Sequence, residues 1–157
     1  PVSSSPAPPL TSPTPSPVSP LFLKWIMCIE DPISHSLWLA KALPRVWLSD
    51  GESLSLEGMP TAYGRLSLSI HSSVASHSAI SANLTLPPSW AVHASERPAG
   101  GVRLRLRPPD AGLRIRSVTL GVGQQPWGSF NDSTIAFESD ELPPIMASLQ
   151  CIWVLFA

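Results

Sequence analysis

Arginine alternates with an apolar residue in two neighbouring runs, VRLRLR (Val102–Arg107) and LRIRSVTLGV (Leu113–Val122). A guanidinium is always charged and offers five N–H donors in a planar fork that fits an oxyanion. Three uses are open: the solvent side of a sheet, a site for a sulfated or carboxylated sugar, or a nucleic-acid surface. The solvent side comes first, because the long aliphatic stem covers a sheet while the head stays in water. Nucleic acid comes last. The formal net charge is -1 and no aromatic residue is interleaved with these arginines, whereas a strand-binding surface needs basic excess and stacking platforms. Trp90 and Trp127 stand in the turn-rich stretches PPSWAVH and QQPWGSF. An indole left in water there stacks on a sugar ring, and one folded inward caps a sheet. Trp90, Trp127, Arg103 and Arg105 are therefore the candidate carbohydrate contacts.

Other reactive groups assemble less. His71 and His77 are joined by SSVAS, a segment that reads as a hairpin turn, but a metal site wants a third ligand and a supporting second layer. No metal is expected. The acids Glu30, Asp31, Asp50, Glu52, Glu57, Glu96, Asp110, Asp132, Glu138, Asp140 and Glu141 fall mostly in turns or near strand ends. Cleavage of a glycosidic bond takes two facing carboxyls, and no pair among them nominates itself. The catalytic residues are therefore unknown, and whether the chain is an enzyme is open. GxSxG, HExxH, CxxC and Walker patterns are absent. GVGQQPWG opens like a dinucleotide fingerprint, but Pro126 occupies the third glycine position and no βαβ unit surrounds it. No cofactor is expected. Cys28 and Cys151 make no disulfide framework, and a single bridge between them stays open. Asn83-Leu84-Thr85 and Asn131-Asp132-Ser133 match the N-glycosylation sequon.

The elements that must carry these groups follow from punctuation and period. The chain has 157 residues, enough for one ordinary domain, and 19 of them are proline. Residues 1–20, PVSSSPAPPLTSPTPSPVSP, offer almost nothing apolar to bury, so a disordered Pro/Ser/Thr-rich leader is expected, a linker or an O-glycosylated stalk. That leader goes with a secreted or extracytoplasmic setting. Residues 21–43 read as a poorly defined connector with room for a short helix or strand before Pro44. From residue 44 to 157, alternating runs follow one another between turns: RVWLS, SLSLE, RLSLSIH, AISANLTLP, VRLRLR, LRIRSVTLGV, STIAFE and ASLQCIWVLF. Alternation puts Leu66, Leu68 and Ile70 on one face, and likewise Ile80, Ala82, Leu84 and Leu86, and Val102, Leu104 and Leu106. Each buried side chain is worth about 1.5–3 kcal/mol, and one sheet alone leaves that face wet. An all-β, antiparallel two-sheet β-sandwich is the expected fold. No apolar run reaches the ~20 residues of a membrane helix. LFLKWIMCI is interrupted by Lys24 and CIWVLFA is shorter, so no membrane partner is expected.

One stretch is familiar. LPRVWLSDGESLSLEGMPTAYGRLSLSIHS, then VRLRLRPPDAGLRIRSVTLGVGQQPW and STIAF, resemble in order and spacing the C-terminal β-sandwich region of bacterial-type six-hairpin glycosidases. The resemblance runs from about Leu43 to Phe137. It implies a β-sandwich that packs on an (α/α)6 barrel holding the catalytic carboxylates, so no catalytic residue carries over to this chain. The family's Asn-Gly turn is replaced by GVGQQP, and ELPPIMASLQCIWVLFA departs from its pattern. With the abrupt start, this leads to the expectation of a fragment. The function expected is a non-catalytic accessory domain of a glycoside hydrolase. The alternatives are a free carbohydrate-binding module on a Pro-rich stalk and a structural or interaction domain of a wall-associated protein. The expected partner is a carbohydrate or an (α/α)6 catalytic domain. The oligomeric state stays unknown.

Overall fold

Leucine and isoleucine at alternate positions have no use for a helix, where they would face every direction, and in strands they all face one way. The computed structural model describes residues 18–157, and it is mostly β. A helix, α1 (Val18–Met27), is followed by β1 (Cys28–Asp31), β2 (Ser36–Leu39), β3 (Ser53–Thr61), β4 (Gly64–Ser73), a one-turn helix α2 (Val74–His77) and β5 (Ala79–Thr85). Then come β6 (Val102–Arg105), β7 (Ile115–Leu120), β8 (Gln125–Trp127), β9 (Thr134–Phe137), the short α3 (Leu142–Ile145) and β10 (Ile152–Phe156). Six strands form the larger sheet in the order β3-β4-β5-β10-β7-β8, and four form the smaller in the order β1-β2-β6-β9.

The alternation holds where it was strongest. Leu66, Leu68, Ile70, Ile80, Ala82, Leu84 and Leu86 are buried, as are Val102, Leu104 and Leu106. Leu37, Leu39, Val102, Leu104, Ile135 and Phe137 of the smaller sheet belong to one hydrophobic core with Leu68, Ile70, Ile80, Val118, Ile152 and Val154 of the larger. Each sheet thus covers the apolar face of the other, which offsets the entropy of ordering the chain. Cys28 and Cys151 are both free thiols. Burial, and secondarily Glu30, pushes the Cys28 thiol up to about 12, so it stays protonated and unreactive.

Several expectations need correction. The β structure starts upstream of residue 44, since β1 and β2 lie in the connector, where Ser36, Leu37 and Leu39 are buried. The sheets are not wholly antiparallel: β2 runs parallel to β6, with Leu37, Trp38 and Leu39 facing Val102, Arg103 and Leu104. RVWL is a 3₁₀ helix, Arg45–Leu48, not a strand. Pro44 starts it, and the Trp47 N–H bonds back to the Pro44 carbonyl at 3.0 Å, a local bond that replaces a ladder partner. Pro60 lies inside β3, an outermost strand where a missing N–H is tolerated, so this strand runs beyond SLSLE. A register shift between Leu56 and Met59 absorbs Glu57 and Gly58. Pro126 likewise sits in the outermost β8. Residues 148–150 form a 3₁₀ turn, so the last strand begins only at Ile152. The disordered leader was expected over residues 1–20. Residues 1–17 lie outside the described residues, and the backbone of residues 18–20 is helical.

Candidate functional site

Directly opposed residues of antiparallel strands share a face, so the register builds the outer wall of the larger sheet residue by residue. Ser53 pairs with His71, His71 with Ser81, and Ser81 with Trp153. Trp153 then pairs with Thr119 on its other side. The next row along the strands holds Ser55, Ser69 and Asn83. The core partners on the opposite face are Ile70, Ile80, Ala82, Ile152 and Val154, all buried. A shallow cavity of about 300 Å³ opens over Ser53, Ser55, Ser69, His71, Ser81 and Asn83. Ser53 Oγ and His71 Nδ1 are 2.8 Å apart, which fixes the imidazole on the wall. Trp153 stands 41% exposed on a central strand, and its indole N–H donates to Cys151 Sγ at 3.1 Å. The indole edge is therefore pinned while much of the ring meets solvent.

The chemistry of this wall is uniform. Neither row contains an acid, a lysine or an arginine. Serine and threonine hydroxyls donate and accept, asparagine does both through one amide, and neutral imidazole does both through its two nitrogens. The arrangement is a field of two-way hydrogen-bonding groups beside one large apolar plate. It can hold an uncharged, polyhydroxylated ligand with one apolar face.

The residues expected from the sequence go elsewhere. Trp90 is fully buried in a 3₁₀ turn after β5, and its Nε1 donates to the Tyr63 carbonyl at 2.8 Å. A ring with no exposed face cannot stack on a sugar, so Trp90 is a cap on the core. Trp127 is half-buried in β8. Its Nε1 donates to the Ala136 carbonyl at 3.0 Å, and its ring lies 5.4 Å from Phe137. Arg103 makes a two-point contact with Glu138 at 2.7 and 3.2 Å. Arg105 ends β6, in the smaller sheet. The four are thus not brought together. His71 and His77 do not share a ligand position either: His71 pairs with Ser53, and His77 Nδ1 lies 3.0 Å from Ser76 Oγ. Among the described residues, no group of three His, Cys, Asp or Glu side chains converges.

The acids with displaced pKa values serve turns. Asp50 accepts the backbone N–H groups of Ala75 and Ser76 at 3.0 and 3.3 Å. The Ser76 N–H in the first place holds its carboxyl below the usual range. Asp31 is lowered in the same way, chiefly by the Ile33 N–H. Both tie a turn to the sheet rather than face a ligand. Trp153 was within reach of the sequence: with Ile152, Val154 and Phe156 inward, alternation sends Trp153 outward. No protein-family model, curated protein or solved structure matches this chain.

Proposed function

We propose that this chain is a non-catalytic β-sandwich domain that holds a neutral saccharide on the outer wall of its larger sheet. It does so as an accessory domain of a glycoside hydrolase or as a free carbohydrate-binding module. The observation that carries this reading is the row His71, Ser81, Trp153, Thr119, in which an exposed indole on a central strand is flanked by hydroxyl and imidazole groups. Sugar rings have an apolar face for the indole and hydroxyls for its neighbours. The test is calorimetric titration of the intact chain with neutral oligosaccharides. Trp153→Ala is expected to weaken the tightest binder at least tenfold, about 1.4 kcal/mol, near the value of one good aromatic contact. Binding that survives Trp153→Ala unchanged, or no binding to any neutral glycan, removes the reading.

A separate observation favours the accessory-domain form. Leu21, Phe22, Leu23 and Trp25 of α1 are 49%, 59%, 49% and 54% exposed, and exposed apolar surface on one helix favours an interface. In the resembling glycosidases the (α/α)6 barrel precedes the sandwich, on the side of the chain where α1 lies, so the barrel is the occupant we assign to it. Mixed with such a barrel, the chain should co-elute on size exclusion, and the triple change of Leu21, Phe22 and Trp25 to serine should release it. Independent elution of the unaltered chain, or self-association in place of the complex, would count against the barrel.

A further inference from the structure

Four arginines gather at one end of β6. Pro108 and Pro109 cannot extend β6, so the chain leaves the sheet after Arg105 and loops to β7. Three bonds shape that loop: Gly112 N–H to Asp110 Oδ1 at 2.7 Å, Leu106 N–H to the Ser133 carbonyl at 2.8 Å and Ile115 N–H to the Asp132 carbonyl at 3.0 Å. Arg45, at the start of the 3₁₀ helix after Pro44, donates through Nη1 to the Pro108 carbonyl at 2.8 Å. Three stretches distant in sequence therefore meet around a cleft of about 220 Å³, with Arg45, Arg105, Arg107, Arg114, Asp132 and Ser133 in its lining.

The charges there do not balance. Four guanidiniums face one carboxylate, and Asp132 is already paired with Arg114 at 3.3 Å. Arg107 Nη2 reaches the Leu43 carbonyl at 3.0 Å, a neutral acceptor. Among the described residues, the Nε atoms of Arg105 and Arg107 are buried with no acceptor, and a buried donor without a partner costs free energy. Burial first, and then the charges of Arg105 and Arg45, lowers the Arg107 pKa. The whole chain carries a formal net charge of -1, so this positive cluster is local. An oxyanion in the cleft supplies the missing negative charge.

We propose that Arg45, Arg105, Arg107 and Arg114 form a binding site for the carboxylate or sulfate group of an acidic saccharide. The cleft is smaller than the ~300–1,000 Å³ of sites that enclose a drug-sized molecule. It takes the charged substituent and leaves the sugar ring at the mouth. The saccharide as carrier rests on the carbohydrate reading above, whereas the oxyanion site stands on its own geometry. The test is calorimetry on the intact chain with three probes: a galacturonic acid trimer, its uncharged methyl ester and sodium sulfate. The acid should bind at least about tenfold tighter than the ester, the scale of one charge-assisted contact. Arg105→Gln should abolish that preference, and Arg105→Lys should restore part of it. Trp153→Ala should leave the Arg105-dependent part of acid-trimer binding unchanged, which separates failure here from failure of the neutral-sugar wall. If Arg105→Gln loses its cooperative thermal transition, Arg45→Gln provides the same reading. Equal affinity for acid and ester, or a preference indifferent to both substitutions, overturns the proposal. So does an Arg105-dependent response to sulfate with no response to the acid trimer.

Discussion

Asp50 and Gly51 turn the chain from the 3₁₀ helix into β3, and the Asp50 carboxylate reaches across to the N–H groups of Ala75 and Ser76 in α2. Its pKa is depressed, first by the Ser76 N–H. A carboxyl with a lower pKa folded than unfolded stabilises the fold above its unfolded pKa, and that contribution fades as pH falls through the folded value. Asp50→Asn keeps an acceptor oxygen but not the charge. The wild-type protein should therefore melt higher than this variant at neutral pH, and the gap should close as pH is taken below about 3.9. A gap that stays constant through that range would remove the charge from the account. At this scale the sequence was legible for faces and not for partners. Alternation told which leucines go inward, because a strand has only two sides. It did not tell that Trp90 turns inward, because that depends on the Tyr63 carbonyl, 27 residues away, meeting its N–H. Nor did it show that Arg103 faces Glu138, a neighbour supplied by the end of β9.

Among the elements, the start of β6 is the tightest joint. Gly101 has φ +73°, and a β-carbon on it would run into the Phe137 carbonyl at the end of β9. Gly51 has a similar φ of +81° but open space around it. The pair separates two costs. Gly51→Ala should lose about 1–2 kcal/mol, the left-handed penalty alone. Gly101→Ala should lose clearly more, since backbone must also move. Urea midpoints at constant m-value measure both, and equal losses would show that the joint has slack. The element boundaries explain where sequence reasoning failed. RVWL alternates like a strand, yet Pro44 starts a local 3₁₀ turn that completes its own bonding. SLW and CI look too short for strands, yet they lie beside β6 and beside each other. Short segments carry little periodic signal, and their state is decided by what they pack against.

For the molecule as a whole, the parallel pairing of β2 with β6 sets the order of events. Leu37 faces Val102, and β3, β4 and β5 of the other sheet come between them in the chain. A large loop must close before those contacts form, and non-local β pairings fold on the millisecond-to-second scale. Stopped-flow tryptophan fluorescence after denaturant dilution should show such a phase, and complete refolding within microseconds would contradict the topology. The two sheets, their shared core and the inward leucines of β4, β5 and β6 were readable from residue order alone. The parallel pair was not, because nothing in a strand's own residues says which distant strand it will meet. Pro60 and Pro126 have a further consequence at this scale. They occupy the two flanks of the larger sheet, β3 and β8, and each withholds a hydrogen-bond donor from anything arriving sideways. Along the larger sheet, a neighbouring copy therefore meets an interrupted rail on either flank, which works against cross-β stacking at those two edges.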